Sequence, residues 1–356
     1  MLNMDIAQQR LFNQYIASTP CGKPEDVVQR FGAIQAQDYL GALWAVGLRM
    51  QNATVADVEQ AIADGSIVRT HPMRGTWHFV AGVDIRWLLS LTAQRMIARC
   101  ATMYRQLELD DKIFAISNTV IAQTLQGGKQ LTRHELATEL ERVGISTKGL
   151  RLTFLLSRAE LDGLIVGGAR RGKQFTHALL DELVPTSKIL ARDEALAELA
   201  RRYFTSHGPA TAQDFAWWSS LTITDARAGL ALARPHLVQE VINGQSYWLS
   251  PSLPGAKVLS PTAYVLPPFD EYTVAYKDRS AVLDPTHVIS TKNGIFSPII
   301  VVNGQVVGTW ARTIKKDAVI FTPSLFIPLD QAETRALAVA IDRYSAFLGM
   351  PVGTRS

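Results

Sequence analysis

Cysteine is nearly missing: Cys21 and Cys100 are the only two in 356 residues. That excludes a disulfide framework and a cysteine-rich zinc site, and it fits a reducing compartment. Metal-binding spacings are missing too. The seven histidines are scattered, with no His-x-x-x-His and no Cys-x-x-Cys pair, so no bound metal is expected. Lys129 follows two glycines, but Gln130 stands where a phosphate loop needs Ser or Thr, so no nucleotide cofactor is expected. No Gly-x-Ser-x-Gly elbow occurs. No apolar run reaches the roughly 18 residues of a membrane span, and the opening MLNMDIAQQRLFNQYIAS lacks the basic and continuous apolar regions of a secretion signal. The expectation is a cytoplasmic protein without a membrane partner. A large charge excess is missing as well: the net charge of +4 permits an anionic partner without demanding one.

What is present is a packed chain, 47% hydrophobic and 19% charged, and too long for a single ordinary core. Leu11, Phe12, Tyr15 and Ile16 predict an amphipathic first helix. Thr54 with Asp57, Thr132 with Glu135, Thr211 with Asp214 and Thr222 with Asp225 have the spacing of reciprocal helix caps. Around them one unit recurs: short helices, then a strand pair with basic residues. It is clearest in LTRHELATELERVG, KGLRLTFLLSRAELDG and LIVGGARRGKQFTHAL, the order helix, helix, two-stranded wing. TAQDFAWWSSL, TITDARAGLALARPHL and VQEVINGQSYWLS repeat it, with Asn243-Gly244 as the hairpin turn. PEDVVQRFGAIQAQ, ATVADVEQAIADG and SIVRTHPMRGTWHFV form an earlier copy. After about residue 250, prolines 251, 254, 261, 267 and 268 introduce β-rich runs with turns at Asn293-Gly294 and Asn303-Gly304, and a final helix DQAETRALAVAIDRYSAFL. The predicted fold is α+β: winged-helix modules over 1–115, 116–185 and 186–250, then an antiparallel β-barrel or sheet with a C-terminal helix over 251–356.

From Arg142 to His177, seven basic residues (Arg142, Lys148, Arg151, Arg158, Arg170, Arg171, Lys173) stand against two acidic ones. Lys148, Arg151 and Arg158 have the spacing of one helix face; Arg170, Arg171 and Lys173 fall on the wing tip. They form either a solvated basic face or a phosphate-binding surface. In MRGTWHFV, regular alternation puts Arg74, Thr76 and His78 on one strand face and Trp77 and Phe79 on the other. Either that second face is core and the first is surface, or the stretch works on a ligand. Gln35 and Gln37 sit beside an apolar run. On a helix they diverge; in an extended segment they point the same way. They either satisfy nearby backbone groups or line a cavity. An amide offers a donor and an acceptor but no charge, so it is no strong base.

Five stretches, FGAIQAQDYLGALWAVGLR, MRGTWHFV, GPATAQDFAWW, LPPFDEYTVAYKDRS and NGQVVGTW, together resemble the AlkZ-like family of winged-helix DNA glycosylases over nearly the whole chain. The resemblance implies three tandem winged-helix modules and a C-terminal β-barrel in a C-shaped body around a DNA-sized channel. It implies metal-free excision of alkylated purines, notably N7-alkylguanine, from double-stranded DNA, and in some members the unhooking of interstrand crosslinks. The family motif is Gln-x-Gln in one branch and Gln-x-Asp in another. Gln35-Ala36-Gln37 is similar to the first, so the catalytic role carries to Gln35 and Gln37 and not to Asp38. Expected DNA contacts are Arg74, Trp77, His78, Lys148, Arg151, Arg158, Arg170, Arg171 and Lys173. The expected state is a monomer. The alternative is a non-catalytic tandem winged-helix regulator, since fold alone grants no activity. Asp270 and Glu271 read as structural, pairing with Arg279 or with the first module.

Overall fold

Capping governs where the helices begin. In the computed structural model, which describes residues 5–251, 261–290 and 296–353, Thr54, Thr132, Thr211 and Thr222 each accept the backbone N–H three residues on. At 54, 132 and 211 the acidic partner also takes the threonine's own N–H. Each such cap satisfies donors that a helix start leaves open.

The elements begin α1 (Ile6–Asn13), α2 (Pro24–Phe31), β1 (Ile34–Gln35), α3 (Tyr39–Gly47), α4 (Val55–Ala63), β2 (Ile67–Met73), β3 (Thr76–Ala81) and α5 (Ile85–Gln106). There follow α6 (Asp111–Leu125), β4 (Leu131–Thr132), α7 (Arg133–Arg142), α8 (Arg151–Leu161), β5 (Ile165–Gly167), β6 (Thr176–Leu179), α9 (Leu180–Leu183) and α10 (Arg192–His207). The last are α11 (Ala212–Ser219), α12 (Ile223–Ala233), β7 (Val238–Ile242), β8 (Gln245–Leu249), β9 (Ala263–Leu266), α13 (Glu271–Val274), β10 (Ile299–Val302), β11 (Gln305–Ile314), β12 (Val319–Leu325) and α14 (Gln331–Leu348). They divide into two compact units: residues up to Val58 together with those from Leu196 onward, and Glu59–Ala195.

In the 59–195 unit, α6, α7 and α8 close on a core that includes Leu125, Leu140, Leu155 and Ala159. A sheet runs in the order β3-β2-β5-β6-β4. The β2–β3 hairpin turns at Arg74 (φ +58°) and Gly75 (φ +70°). Arg74 is therefore part of a turn and not of a strand, and His78 is not a surface residue: His78 and Phe79 are both fully buried and pair with Thr70 and Arg69. The β5–β6 pair carries the predicted wing, with a tip bridge between Arg171 and Gln174.

In the other unit, α11 and α12 lead into the β7–β8 hairpin, whose turn residues Asn243 and Gly244 both have positive φ, as a type I′ turn requires. Strands β12-β11-β10-β9 form an open four-stranded antiparallel sheet, the open form of the expected barrel or sheet and not the closed barrel that the resemblance implies. Four strands are too few to close around a filled interior; α14 packs on this sheet instead. Its Tyr344 and Phe347 rings lie 5.2 and 5.1 Å from Trp44, and Tyr344 lies 5.1 Å from Trp310. Asn303 and Gly304 form the β10–β11 turn; the turn expected at Asn293-Gly294, like Pro254, falls outside the described residues. The first helix is shorter than its pattern suggests. It stops at Asn13 because Gln14 turns inward to a buried hydrogen bond and Tyr15 adopts φ +57°. Among the described residues no helix is long and apolar enough to cross a membrane.

Candidate active site

Gly32, at φ +82°, ends α2 and frees the backbone to run extended into β1. Gln35 is 7% exposed, Ala36 is fully buried and Gln37 is exposed. The two amides thus stand at different depths of one short extended segment. Asp38 serves elsewhere: it caps α3 through the Gly41 N–H and pairs with Arg312 Nη2 at 2.8 Å. A side chain at 41 would crowd that cap, since a Cβ there would lie 2.8 Å from Asp38 Oδ1.

The segment is held from behind by Glu271, whose side chain is wholly buried. Its Oε1 accepts the Gln35 backbone N–H at 2.8 Å, and its Oε2 accepts the Trp218 indole N–H at 2.9 Å. His207 Nε2 lies 3.4 Å from Oε2. Next to it, Asp270 meets Arg49 in a two-point ion pair of 3.0 and 2.9 Å, with both side chains at 0% exposure. Arg49 gives its other three N–H groups to Gln14 O, Gln14 Oε1 and Ala45 O, so all five of its donors are used. Gln14 Nε2 donates to Tyr276 OH, and that hydroxyl donates to His207 O. Asp270 therefore pairs with the first part of the chain and not with Arg279, which donates to Thr273 O. Asp270 is the N-cap of α13 and Glu271 its first residue. The anchoring role of Glu271 had no separate signal in the sequence; only the stretch FDEY marked the spot.

Burial pushes the imidazoles of His207 and, in the other unit, His177 below their usual value of 6.5. Both are kept neutral in the fold, while an unfolded chain protonates them near 6.5. The unfolded state then binds more protons, so stability is full above that pH and is lost as pH falls through the lowered folded values. We expect the unfolding free energy from urea titrations to be level above pH 7 and to fall as pH drops below 6.5, by at most about 1.4 kcal/mol per pH unit for each histidine. An unfolding free energy that rises on acidification would contradict this.

The basic residues are more engaged than their sequence pattern suggests. Lys148 precedes α8, which starts only at Arg151 after Gly149 (φ +60°), so the three do not share one helix face. Arg151 donates to the carbonyls of Ser146, Leu107 and Glu108. Arg158 pairs with Asp162 at 2.9 Å and lies 4.7 Å over Phe114. At the wing tip Arg170 reaches Glu59 at 3.5 Å, and Arg171 pairs with Glu135 at 2.8 Å. The Thr132 backbone N–H, with Arg171 and the Thr132 hydroxyl, holds that Glu135 carboxyl down to about 2. Lys148 and Lys173 are exposed. Arg74 Nη2 lies 2.9 Å from His78 Nε2. Trp77 takes Arg69 over its ring at 4.1 Å, and Arg69 also lies 4.5 Å from Phe175. Among the described residues, no group of three or more His, Cys, Asp or Glu is placed to hold a metal ion.

A family model described as DNA glycosylase AlkZ-like matches residues 28–347. The chain is 27% identical over 372 residues to the interstrand DNA cross-link repair glycosylase of Streptomyces sahachiroi, covering 96% of each protein. Its fold is similar to the solved structure of the Streptomyces sahachiroi DNA glycosylase AlkZ, with a TM-score of 0.79 and 24% identity over 98% of each chain.

Proposed function

The chain belongs to the AlkZ-like family of DNA glycosylases, and from that premise we propose that it excises N7-alkylated purines from duplex DNA without a metal ion, through Gln35 and Gln37. Hydrolysis of the N-glycosidic bond and a DNA substrate follow from the family, which sets aside the non-catalytic alternative. The lesion, the metal independence and the two residues are our reading. The observation that carries it is the anchoring of the Gln-x-Gln segment: a buried carboxylate, Glu271, fixes the backbone of the extended stretch at the Gln35 N–H.

Cleavage of an N-glycosidic bond develops an oxocarbenium-like sugar. An N7-alkylguanine is already cationic. When the C1′–N9 bond breaks, its electron pair returns to the base and neutralises it, so no general acid is needed. A water oxygen then bonds to C1′ and releases its proton to solvent. A fixed amide can direct that water and turn its carbonyl dipole to the developing cation. Unmodified guanine, a far poorer leaving group, is rejected by the same chemistry. We extend the reading to interstrand crosslinks, the substrate for which the Streptomyces sahachiroi relative is named. Phosphate contacts from Arg170, Arg171, Lys148 and Lys173 would position the duplex.

The test is base release from a duplex carrying one N7-methylguanine, with EDTA present. We expect release at an unchanged rate with and without chelator. Intact duplex binding with no release would overturn the lesion assignment, and chelator-sensitive release would overturn metal independence.

A further inference from the structure

Arg10 is 1% exposed, yet its situation is the reverse of that of Arg49. Its Nε donates to Pro209 O at 3.1 Å, and its guanidinium lies 3.6 Å over the Tyr276 ring. Its Nη1 has no hydrogen-bond partner. No carboxylate among the described residues forms an ion pair with it. A buried charge without a counterion is costly, and such groups are ordinarily paired.

Arg10 lines a cavity of about 240 Å³ that contains neither glutamine of the Gln-x-Gln segment. Lys277, Gln213, Gln245 and Tyr247 share the lining. The first turn of α11 also faces it through Thr211 and Gln213. Thr211 Oγ1 takes only the Asp214 N–H, so helix geometry leaves the Ala212 and Gln213 N–H groups without intrahelical acceptors, at the positive end of the helix dipole. Two carboxylates share the lining, and neither forms an ion pair with Arg10: both oxygens of Asp214 and Oδ1 of Asp278 take backbone N–H groups. Asp214 accepts from Thr211 N and Lys277 N, and Asp278 accepts from Ser280 N.

We propose that this cavity binds a phosphate group, with Arg10 Nη1, the first turn of α11 and the Lys277 ammonium as its donors. A tetrahedral oxyanion supplies the counterion Arg10 lacks. The carboxylates favour a phosphate that carries donors of its own, such as a protonated oxygen or a neighbouring hydroxyl. The volume is about eight times the roughly 30 Å³ share of one water, which leaves room for a group attached to the phosphate. The source is either a free phosphate or phosphomonoester, or a backbone phosphodiester of the DNA substrate; only the second rests on the glycosylase reading.

The experiment is calorimetric titration of the full chain with inorganic phosphate at constant ionic strength. We expect one saturable site, weakened about 10-fold or more in Lys277→Met, since a charge-assisted contact is lost, and abolished in Arg10→Gln. Lys277 is exposed, so its variant keeps the test decisive if Arg10→Gln misfolds. Absence of saturable binding to wild type, or unchanged binding in Lys277→Met, would overturn the proposal. Undamaged duplex identifies the source. Competition by phosphate, with a salt slope lowered by about one in Lys277→Met, assigns the site to the DNA backbone. Unaltered duplex binding beside saturable phosphate binding assigns it to a free ligand. Neither readout measures excision, so a failed base-release assay leaves this result standing.

Discussion

Gln35→Ala is expected to lower release of an N7-alkylated base by about 10²–10³-fold, the loss typical of one preorganised donor or dipole at a reacting centre. Stability should change far less, because the contact that anchors the segment is made by the backbone N–H, which alanine retains. Gln37→Ala, at an exposed position, should cost activity with still less effect on stability. Glu271→Gln separates positioning from chemistry. Both Glu271 oxygens accept from N–H donors, Gln35 N and Trp218 Nε1. A glutamine has one acceptor oxygen, so its NH₂ must face a donor. That variant should lose activity and stability together. Single-turnover release alongside urea denaturation checks all three. Full activity in Gln35→Ala would end the assignment.

The second large effect concerns folding. Asp270→Asn should destabilise the protein by about 3–5 kcal/mol, the cost of leaving a buried arginine without its charge partner. Against a typical total of roughly 5–15 kcal/mol, that brings the chain near unfolding. Asp270 also accepts the Tyr272 N–H as the cap of α13, so the loss spreads to the residue next to Glu271. Arg49→Met leaves the opposite defect, a buried carboxylate. The two changes combined should cost less than their sum, because neither charge is then stranded. A double-mutant cycle in urea measures this; strict additivity would mean the pair is not coupled.

Much of the framework is written locally. The threonine caps, the Asn-Gly turns at 243 and 303 and the helix-terminating glycines each depend on a few adjacent residues, so their patterns announce them. The Gln-x-Gln motif can be read directly, but the sequence leaves open whether it runs helical or extended; the structure decides it, with Gly32 ending a helix before it and Asp38 capping one after it. What was not legible depends on partners distant in the chain. That Asp270 would find Arg49, that Glu271 would find Gln35, and that Arg151 would turn to carbonyls at 107 and 108 leaves no periodic trace. Sheet closure is equally non-local, since the number of strands that join cannot be read from any one of them. Arg74 misled for a simpler reason: hairpin turns interrupt strand alternation, and Arg-Gly is an uncommon turn pair beside Asn-Gly.

The bond from Gln35 N–H to Glu271 spans 236 residues. On a ribosome adding about 5–20 residues per second, the strand that carries Gln35 waits roughly 10–50 s before its anchor exists. Throughout that interval Arg49 also lacks Asp270 and stands as an unmatched cation on a nascent chain. The 59–195 unit is fully synthesised during the wait. Synthesis therefore completes the half bearing the basic wing well before the half bearing the glutamines. Any chain released before residue 271 would carry the Gln-x-Gln motif without the structure that holds it.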